Sequence, residues 1–261
     1  MSIRIGMLTP SSNTVLEPVT VAMLQDLPDV TAHFARFEVR SIALDAPALA
    51  QFDMAPMVAA AEQLAHAKVD VIAWNGTSAG WMGFATDERL CDEIQAATGV
   101  TAVTTVLGLN ALLRRSERRR IAFVTPYTDD VQRRIVEQYE GAGYAVVAER
   151  HLAITDNFSF GQVSGSVIEK MIREAAESGA DVVIPFCTNL AGAPLVDRLE
   201  HELMIPIFDS VAVTVWAALA ACDYDLSRVQ GWGQLFTVPL NGAMISKSPQ
   251  VADRPLPPSD G

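Results

Sequence analysis

The sequence predicts an α/β protein built from two similar half-domains, each with a parallel, flavodoxin-like sheet, and a site in the cleft between them. Short apolar segments rich in β-branched residues alternate with helical patterns, which is typical of βαβ units. One segment also occurs twice, since residues 69–78 align without a gap on 180–189, and residues 4–13 align similarly on 120–129. Gly76 of the first copy is therefore aligned with Cys187 of the second.

The strand candidates are short apolar runs that precede turns. They lie at 3–9, 30–40, 69–75, 101–104, 120–125, 144–150, 181–186 and 205–208, with a further candidate at 230–237.

Apolar residues at helical spacing predict helices between these strands. In 54–67 the pattern includes Met57, Ala61 and Leu64, and Pro56 is tolerated in the first turn. The other helix candidates are 86–97, 105–115, 129–141, 162–178, 193–202 and 210–222. Each half then contains four strands, each followed by a helix.

The repeat divides the chain into domains. The first half comprises residues 1–110 with a C-terminal return at about 223–245, and the second half comprises residues 111–222. Residues 247–261 contain four prolines among mostly polar residues, so they suit neither a helix interior nor a central strand. This segment is predicted to be a flexible tail.

Composition excludes several classes of function. A net charge of −12 argues against nucleic acid and anionic membranes as partners, because both require basic patches. Cys91, Cys187 and Cys222 form neither a complete disulfide set nor a metal-ligand motif, which favours a reduced, cytoplasmic setting and no metal site. No signal peptide or membrane-spanning run is recognised. A Rossmann fingerprint and a Walker loop are also absent from the sequence, so we expect no cofactor.

Four turns after predicted strands are candidates for the site, because ligands of open parallel sheets bind beyond the carboxyl ends of the strands. Their hydroxyls, amides and backbone N–H groups can hold a carboxylate without Arg or Lys. The candidate binding residues in these turns are Pro10, Ser12, Asn13, Gly76, Thr77, Ser78, Tyr127, Thr188 and Asn189. Helix capping is the alternative role for their Ser, Thr and Asn residues. The four histidines are predicted to lie away from these turns.

Cys187 is the candidate catalytic residue. It ends an apolar strand before a predicted helix, where nearby N–H groups are expected to lower the pKa of a thiol. Such a thiol is suited to donate a proton or to act as a nucleophile. The alternative is a small buried hydrophobe, which fits Cys91 and Cys222 better because they lie within amphipathic helical patterns.

The turn motifs resemble those of the aspartate/glutamate racemase superfamily, in the branch that holds maleate cis-trans isomerase and arylmalonate decarboxylase. The matching motifs are Thr-Pro-Ser-Ser-Asn-Thr at 9–14, Gly76-Thr77-Ser78, Tyr127 and Cys187-Thr188-Asn189. Racemases of this superfamily carry one cysteine on each face of the substrate. Here Gly76 replaces the first cysteine, as in arylmalonate decarboxylase, whereas Asn13 and Asn157 are more similar to maleate isomerase, in which such asparagines bind carboxylates.

The resemblance implies a dioxyanion hole formed by Thr77, Ser78, Tyr127 and the backbone around Cys187 and Thr188, which holds one carboxylate of the substrate. The other carboxylate leaves from an apolar pocket as carbon dioxide, and Cys187 protonates the remaining enediolate on one face.

The leading hypothesis is therefore a cofactor-independent decarboxylase of a malonate-type dicarboxylic acid. The alternatives are an isomerase or racemase of a small dicarboxylate that uses one cysteine, and a non-catalytic carboxylate-binding protein. A small dicarboxylate is the expected partner, and a homo-oligomer is possible in each case.

Overall fold

The computed structural model describes residues 2–238, and these form two parallel sheets with helices around them. The strands are β1 (Ile3–Pro10), β2 (Val30–Phe37), β3 (Val71–Trp74), β4 (Thr101–Thr104), β5 (Arg120–Thr125), β6 (Ala145–His151) and β7 (Val182–Pro185). The first sheet has the order β2-β1-β3-β4 and the second has the order β6-β5-β7. Both sheets thus begin with the same doubly wound arrangement, which confirms the predicted fold class.

Eleven α-helices connect the strands of the described chain. They are α1 (Leu16–Leu24), α2 (Ala46–Ala50), α3 (Met54–His66), α4 (Ala79–Met82), α5 (Phe84–Thr98), α6 (Thr105–Arg115), α7 (Asp129–Gly141), α8 (Asn157–Phe160), α9 (Gly165–Ala176), α10 (Ala193–Leu203) and α11 (Ser210–Ala221). None of the helices in residues 2–238 has the length and apolar character needed to cross a bilayer.

The duplication read from the sequence is visible in equivalent backbone contacts. The Asp70 carboxylate accepts the N–H of Arg4 at 2.7 Å, and the aligned Asp181 carboxylate accepts the N–H of Arg120 at 2.9 Å. At the other end of the paired strands, the N–H of Asn75 donates to Leu8, and the N–H of Phe186 donates to Val124. The same contacts therefore fix strand register in both halves, and they bring the Gly76 and Cys187 turns to corresponding positions.

The predicted fourth strand of the second half is reduced to a single bridge. Val183 pairs with Ile207, and the N–H of Val183 donates to the carbonyl of Pro206 at 3.0 Å. Pro206 has no N–H of its own, which limits further pairing of the segment 205–208.

The predicted strand at 230–237 is wrong, because residues Gln234–Thr237 form a 3₁₀ helix. Gly231 and Gly233 have φ angles of +78° and +102°, which interrupt an extended chain before this turn. The adjacent Leu235 and Phe236 are both buried, and a tight turn accommodates two consecutive buried residues better than alternating strand geometry does.

Helix α11 lies in the middle of the molecule. Every residue from Ser210 to Ala220 is buried, as expected for a helix that is apolar on all sides. The helix packs on β3, β4 and α6, and a Cβ on Gly108 of α6 would lie 2.9 Å from the Cβ of Ala217. Its contacts are thus largely with the first sheet, although the sequence division places 210–222 in the second half.

The domain boundary itself stays a prediction, and the predicted tail at 247–261 lies outside the described residues.

Candidate active site

A small cavity lies between the two sheets, beyond the carboxyl ends of β1, β3, β5 and β7. Its volume is about 20 Å³, and its lining residues are Pro10, Val39, Ile42, Phe52, Trp74, Gly76, Thr77, Ser78, Trp81, Tyr127, Asn157, Cys187 and Thr188. None of these side chains carries a fixed charge. The lining includes seven of the predicted binding residues together with Cys187, and the other wall is mostly apolar.

Cys187 is the cavity's cysteine, and it is 3% exposed. Burial raises the pKa of its thiol to about 12, although the Tyr127 hydroxyl and the N–H groups of Asn189 and Leu190 act in the opposite direction. The expected lowering of the pKa is therefore wrong. Desolvation of the thiolate outweighs the N–H groups, and the helix expected after the turn begins only at Ala193. At neutral pH the group is a protonated thiol.

Tyr127 joins the Cys187 thiol to the turn that carries Gly76. Its hydroxyl lies 2.6 Å from Thr77 Oγ1, and both side chains are buried. Burial raises the pKa of Tyr127 well above its usual range, and the nearby Cys187 raises it further. The phenol stays protonated and can donate a hydrogen bond to a bound oxyanion.

Thr188, in the second half, is hydrogen-bonded to two residues of the first half. Its hydroxyl donates to the carbonyl of Asn75 at 3.1 Å and accepts from Asn13 Nδ2 at 3.3 Å. Each of the aligned threonines, Thr77 and Thr188, thus binds a residue from the other half. The walls of the cavity are held together by buried hydrogen bonds that bridge the two halves.

Three predicted binding residues, Ser12, Asn13 and Asn189, do not line the cavity but form hydrogen bonds with neighbouring parts of the site. Asn13 Oδ1 accepts the N–H groups at the start of α1, which is the capping alternative considered from the sequence. Ser12 donates to the carbonyl of Val39 and accepts from Asn157 Nδ2 at 2.8 Å. Asn189 Oδ1 accepts the N–H of Thr14, and its amide donates to the Asn157 carbonyl.

Residues 38–53, here called the strap, cover the cavity. The N–H of Ile42 donates to the carbonyl of Thr155 at 2.9 Å, and the N–H of Asn157 donates to the carbonyl of Arg40 at 2.9 Å. These contacts attach the strap of the first half to the second half. The strap contributes Val39, Ile42 and Phe52 to the apolar wall, all of them buried.

Sequence reasoning missed the apolar wall, which consists of Val39, Ile42, Phe52, Trp74 and Trp81. Trp81 packs edge-on against Tyr127, with ring centroids 5.2 Å apart, and against Phe52 at 6.0 Å. Apolar side chains carry no sign of a ligand site in a sequence, because most of them belong to cores. The one available signal was the position of Trp74 and Trp81 on either side of the Gly76 turn.

The prediction that all histidines lie away from the site turns is wrong for one of them. His151 ends β6, and its Nε2 lies 2.8 Å from Asp129 Oδ1, at the end of the turn that carries Tyr127. Its Nδ1 lies 2.7 Å from Glu149. Within residues 2–238, no cluster of His, Cys, Asp or Glu side chains is arranged to hold a metal ion.

Comparison with known proteins identifies relatives of this chain. Residues 8–236 match the model of the arylmalonate decarboxylase family. The chain is 27% identical over 239 residues to a maleate isomerase of Nocardia farcinica, a match that covers 89% of this chain and 94% of that protein. It is 23% identical over 235 residues to arylmalonate decarboxylase of Bordetella bronchiseptica, which covers 89% and 95% of the two chains.

Solved structures show the same fold. The maleate cis-trans isomerase of Nocardia farcinica, with a cysteine replaced by serine and a covalently bound succinylcysteine intermediate, superimposes with a TM-score of 0.83 at 23% identity. This match covers 90% of the present chain and 98% of the isomerase. Arylmalonate decarboxylase superimposes with a TM-score of 0.70 at 22% identity, which covers 90% of this chain and all of the other.

Proposed function

The chain belongs to the arylmalonate decarboxylase family, and from this premise we propose that it is a cofactor-independent decarboxylase of a malonate-type dicarboxylic acid. One observation carries the proposal: a single protonated thiol, Cys187, faces an uncharged cavity in which neutral donors lie beside an apolar wall. Decarboxylation generates a carbanion equivalent without a base, so one proton donor is sufficient.

The neutral donors would hold the carboxylate that is retained. Thr77 and Tyr127 line the cavity with hydroxyls 2.6 Å apart, and charge that develops on the retained carboxylate is stabilised by such fixed dipoles. The second carboxylate then lies against the apolar wall, where burial of its charge is unfavourable.

The reaction follows from this placement. The bond between the central carbon and the second carboxylate breaks, carbon dioxide leaves, and the bonding electron pair forms the enediolate of the retained carboxylate. The Cys187 thiol gives its proton to the central carbon, and the resulting thiolate recovers a proton from solvent. Because the pKa of Cys187 is raised, the group is a thiol that can donate a proton rather than a thiolate that can act as a nucleophile.

Maleate isomerisation is the second candidate, and the 27% identity to the Nocardia farcinica maleate isomerase favours it. A succinylcysteine intermediate, such as the one described for that isomerase, requires a cysteine nucleophile in addition to any separate acid. In this chain the cavity contains Cys187, and Gly76 occupies the aligned position of the first half. An isomerase would therefore have to use Cys187 both for the adduct and for proton transfer.

The two functions are separated by following carbon dioxide release and proton NMR in deuterated water with methylmalonate, phenylmalonate and maleate. We expect carbon dioxide from a malonate and a deuteron on the product's central carbon. Cys187→Ala should lower the rate by roughly 10²–10⁴-fold, the usual contribution of a general acid, whereas Cys222→Ala, outside the cavity, is the matched control. Conversion of maleate to fumarate without carbon dioxide release would favour the isomerase. Binding without turnover would leave a carboxylate-binding protein.

A further inference from the structure

The indole of Trp74 occupies the space next to Gly76, the residue that aligns with Cys187 in the repeat. Trp74 is the last residue of β3, and Gly76 lies two residues further on, in the turn that follows the strand. A Cβ built on Gly76 would lie 2.0 Å from Cζ2 and 2.4 Å from Cε2 of the Trp74 ring. The indole therefore fills the volume that any side chain at position 76 would need.

The ring is held in this position by its surroundings. Trp74 is 1% exposed and packs against Phe37, with ring centroids 5.2 Å apart and planes inclined by 49°. The side chain is thus part of the buried core on one side and of the cavity wall on the other. It differs from Trp81, which packs on the ring of Tyr127 and so supports a donor.

Movement of the strap does not remove the indole from the cavity wall. The cavity of about 20 Å³ has room for about one water molecule, so the strap must move to admit any malonate, whereas Trp74 belongs to β3 and not to the strap. The substituent on the central carbon therefore has to share the site with the Trp74 ring, and one engineered protein cavity that binds benzene measures about 150 Å³.

We propose that Trp74 limits the size of the substituent on the substrate's central carbon, so that the chain acts on malonates bearing hydrogen or a small alkyl group and excludes aryl malonates. This inference rests on the proposed decarboxylase function and specifies its substrate class. Trp74 is a specificity-determining residue, and it also explains why position 76 must be glycine.

The test compares kcat/KM for methylmalonate and phenylmalonate in the wild type, Trp74→Leu and Trp74→Ala. Phe52→Leu is the matched control, because it also trims an aromatic ring from the cavity wall but leaves Trp74 in place. We expect the wild type to prefer methylmalonate by on the order of 100-fold, and Trp74→Leu to shift the ratio towards phenylmalonate by at least about tenfold. Phe52→Leu should change the ratio by less than about threefold.

Three results would overturn the inference. They are equal use of both malonates by the wild type, an unchanged ratio in the Trp74 variants, and an equal shift in Phe52→Leu. If Trp74→Ala fails to fold, Trp74→Phe and the wild-type ratio still decide the question.

Binding separates failure of this inference from failure of the proposed function. Propionate and phenylacetate, the products of the two malonates, are titrated calorimetrically into the wild type and Trp74→Leu. The size limit predicts that phenylacetate binds measurably only to the variant, even if neither malonate releases carbon dioxide. Absence of carbon dioxide with every malonate would refute the decarboxylase, whereas tight phenylacetate binding to the wild type would refute the size limit alone.

Discussion

At the scale of single residues, the surroundings of Cys187 select the acid form of its thiol. The sequence shows N–H groups and hydroxyls nearby, but it does not show how completely the thiol is removed from water. In the structure that removal dominates, since Cys187 is 3% exposed and its pKa rises from 9.0 to about 12. A thiol in this state fits proton delivery to an enediolate better than attack on a double bond.

This gives a prediction for the pH dependence. The proton donor is active when Cys187 is protonated, so its activity is lost only as pH rises through the folded-state pKa of about 12, rather than through 9.0. We expect kcat/KM for methylmalonate decarboxylation, which reports the pKa values of the ligand-free protein, to show no loss with a midpoint near 9. Tyr127 does not limit this range, because its pKa is raised well above 10.0.

The measurement is kcat/KM from rates at methylmalonate concentrations well below KM, with a melting temperature recorded at each pH as a control for unfolding. A fall in kcat/KM centred near 9 while the protein stays folded would contradict a desolvated thiol donor.

At the scale of elements, one side chain, Gln51, stabilises the folded conformation of the strap from within. Gln51 Oε1 accepts the N–H of Arg40 at 2.6 Å, and Gln51 Nε2 donates to the carbonyls of Ser41 and Ala48, both at 3.1 Å. These bonds fold residues 40–51 onto themselves and present Ile42 and Phe52 to the cavity. Because the cavity holds only about one water, the strap has to move before a dicarboxylate enters.

Gln51→Ala should therefore loosen the strap without removing a cavity-lining residue. We expect faster amide hydrogen exchange over 39–53 and a KM raised by about tenfold, because the loss of these bonds shifts the strap towards open forms. Gln95→Ala, on the exposed side of α5, is the control. Unchanged exchange in the strap of Gln51→Ala would show that the bonds to Thr155 and Asn157 are sufficient to hold it.

The same scale shows what the sequence can predict. The helices at 105–115 and 129–141 have the bounds that their periodicity predicts. The turns that align in the sequence repeat also make equivalent backbone hydrogen bonds in the two halves. Helix α1 was missed because Pro18 and β-branched residues obscure its pattern, and its start depends on capping by Asn13. The strap is not predictable from local sequence, because its position over the cavity depends on contacts with residues 155–157, more than 100 positions away.

At the scale of the whole molecule, the cavity depends on buried hydrogen bonds between the halves, and Thr188 makes two of them. Replacing its hydroxyl by a methyl group would leave the Asn75 carbonyl and Asn13 Nδ2 without this partner in a buried site. Each such group costs about 1–3 kcal/mol. We expect Thr188→Val to lower the free energy of unfolding by about 2–4 kcal/mol, measured in urea.

Thr20 provides a matched control for this substitution. It is also a fully buried threonine, but its Oγ1 has no hydrogen-bond partner among residues 2–238. Thr20→Val removes an unpaired hydroxyl and leaves no partner behind, so the free energy of unfolding should stay the same or rise by about 1 kcal/mol. If Thr188→Val is as harmless as Thr20→Val, the hydrogen bonds between the halves do not hold the cavity together. A large loss of unfolding free energy in Thr188→Val alone would instead show that one hydroxyl connects the Gly76 turn to the Cys187 turn. The same hydrogen bonds would then fix the geometry of the site and stabilise the whole fold.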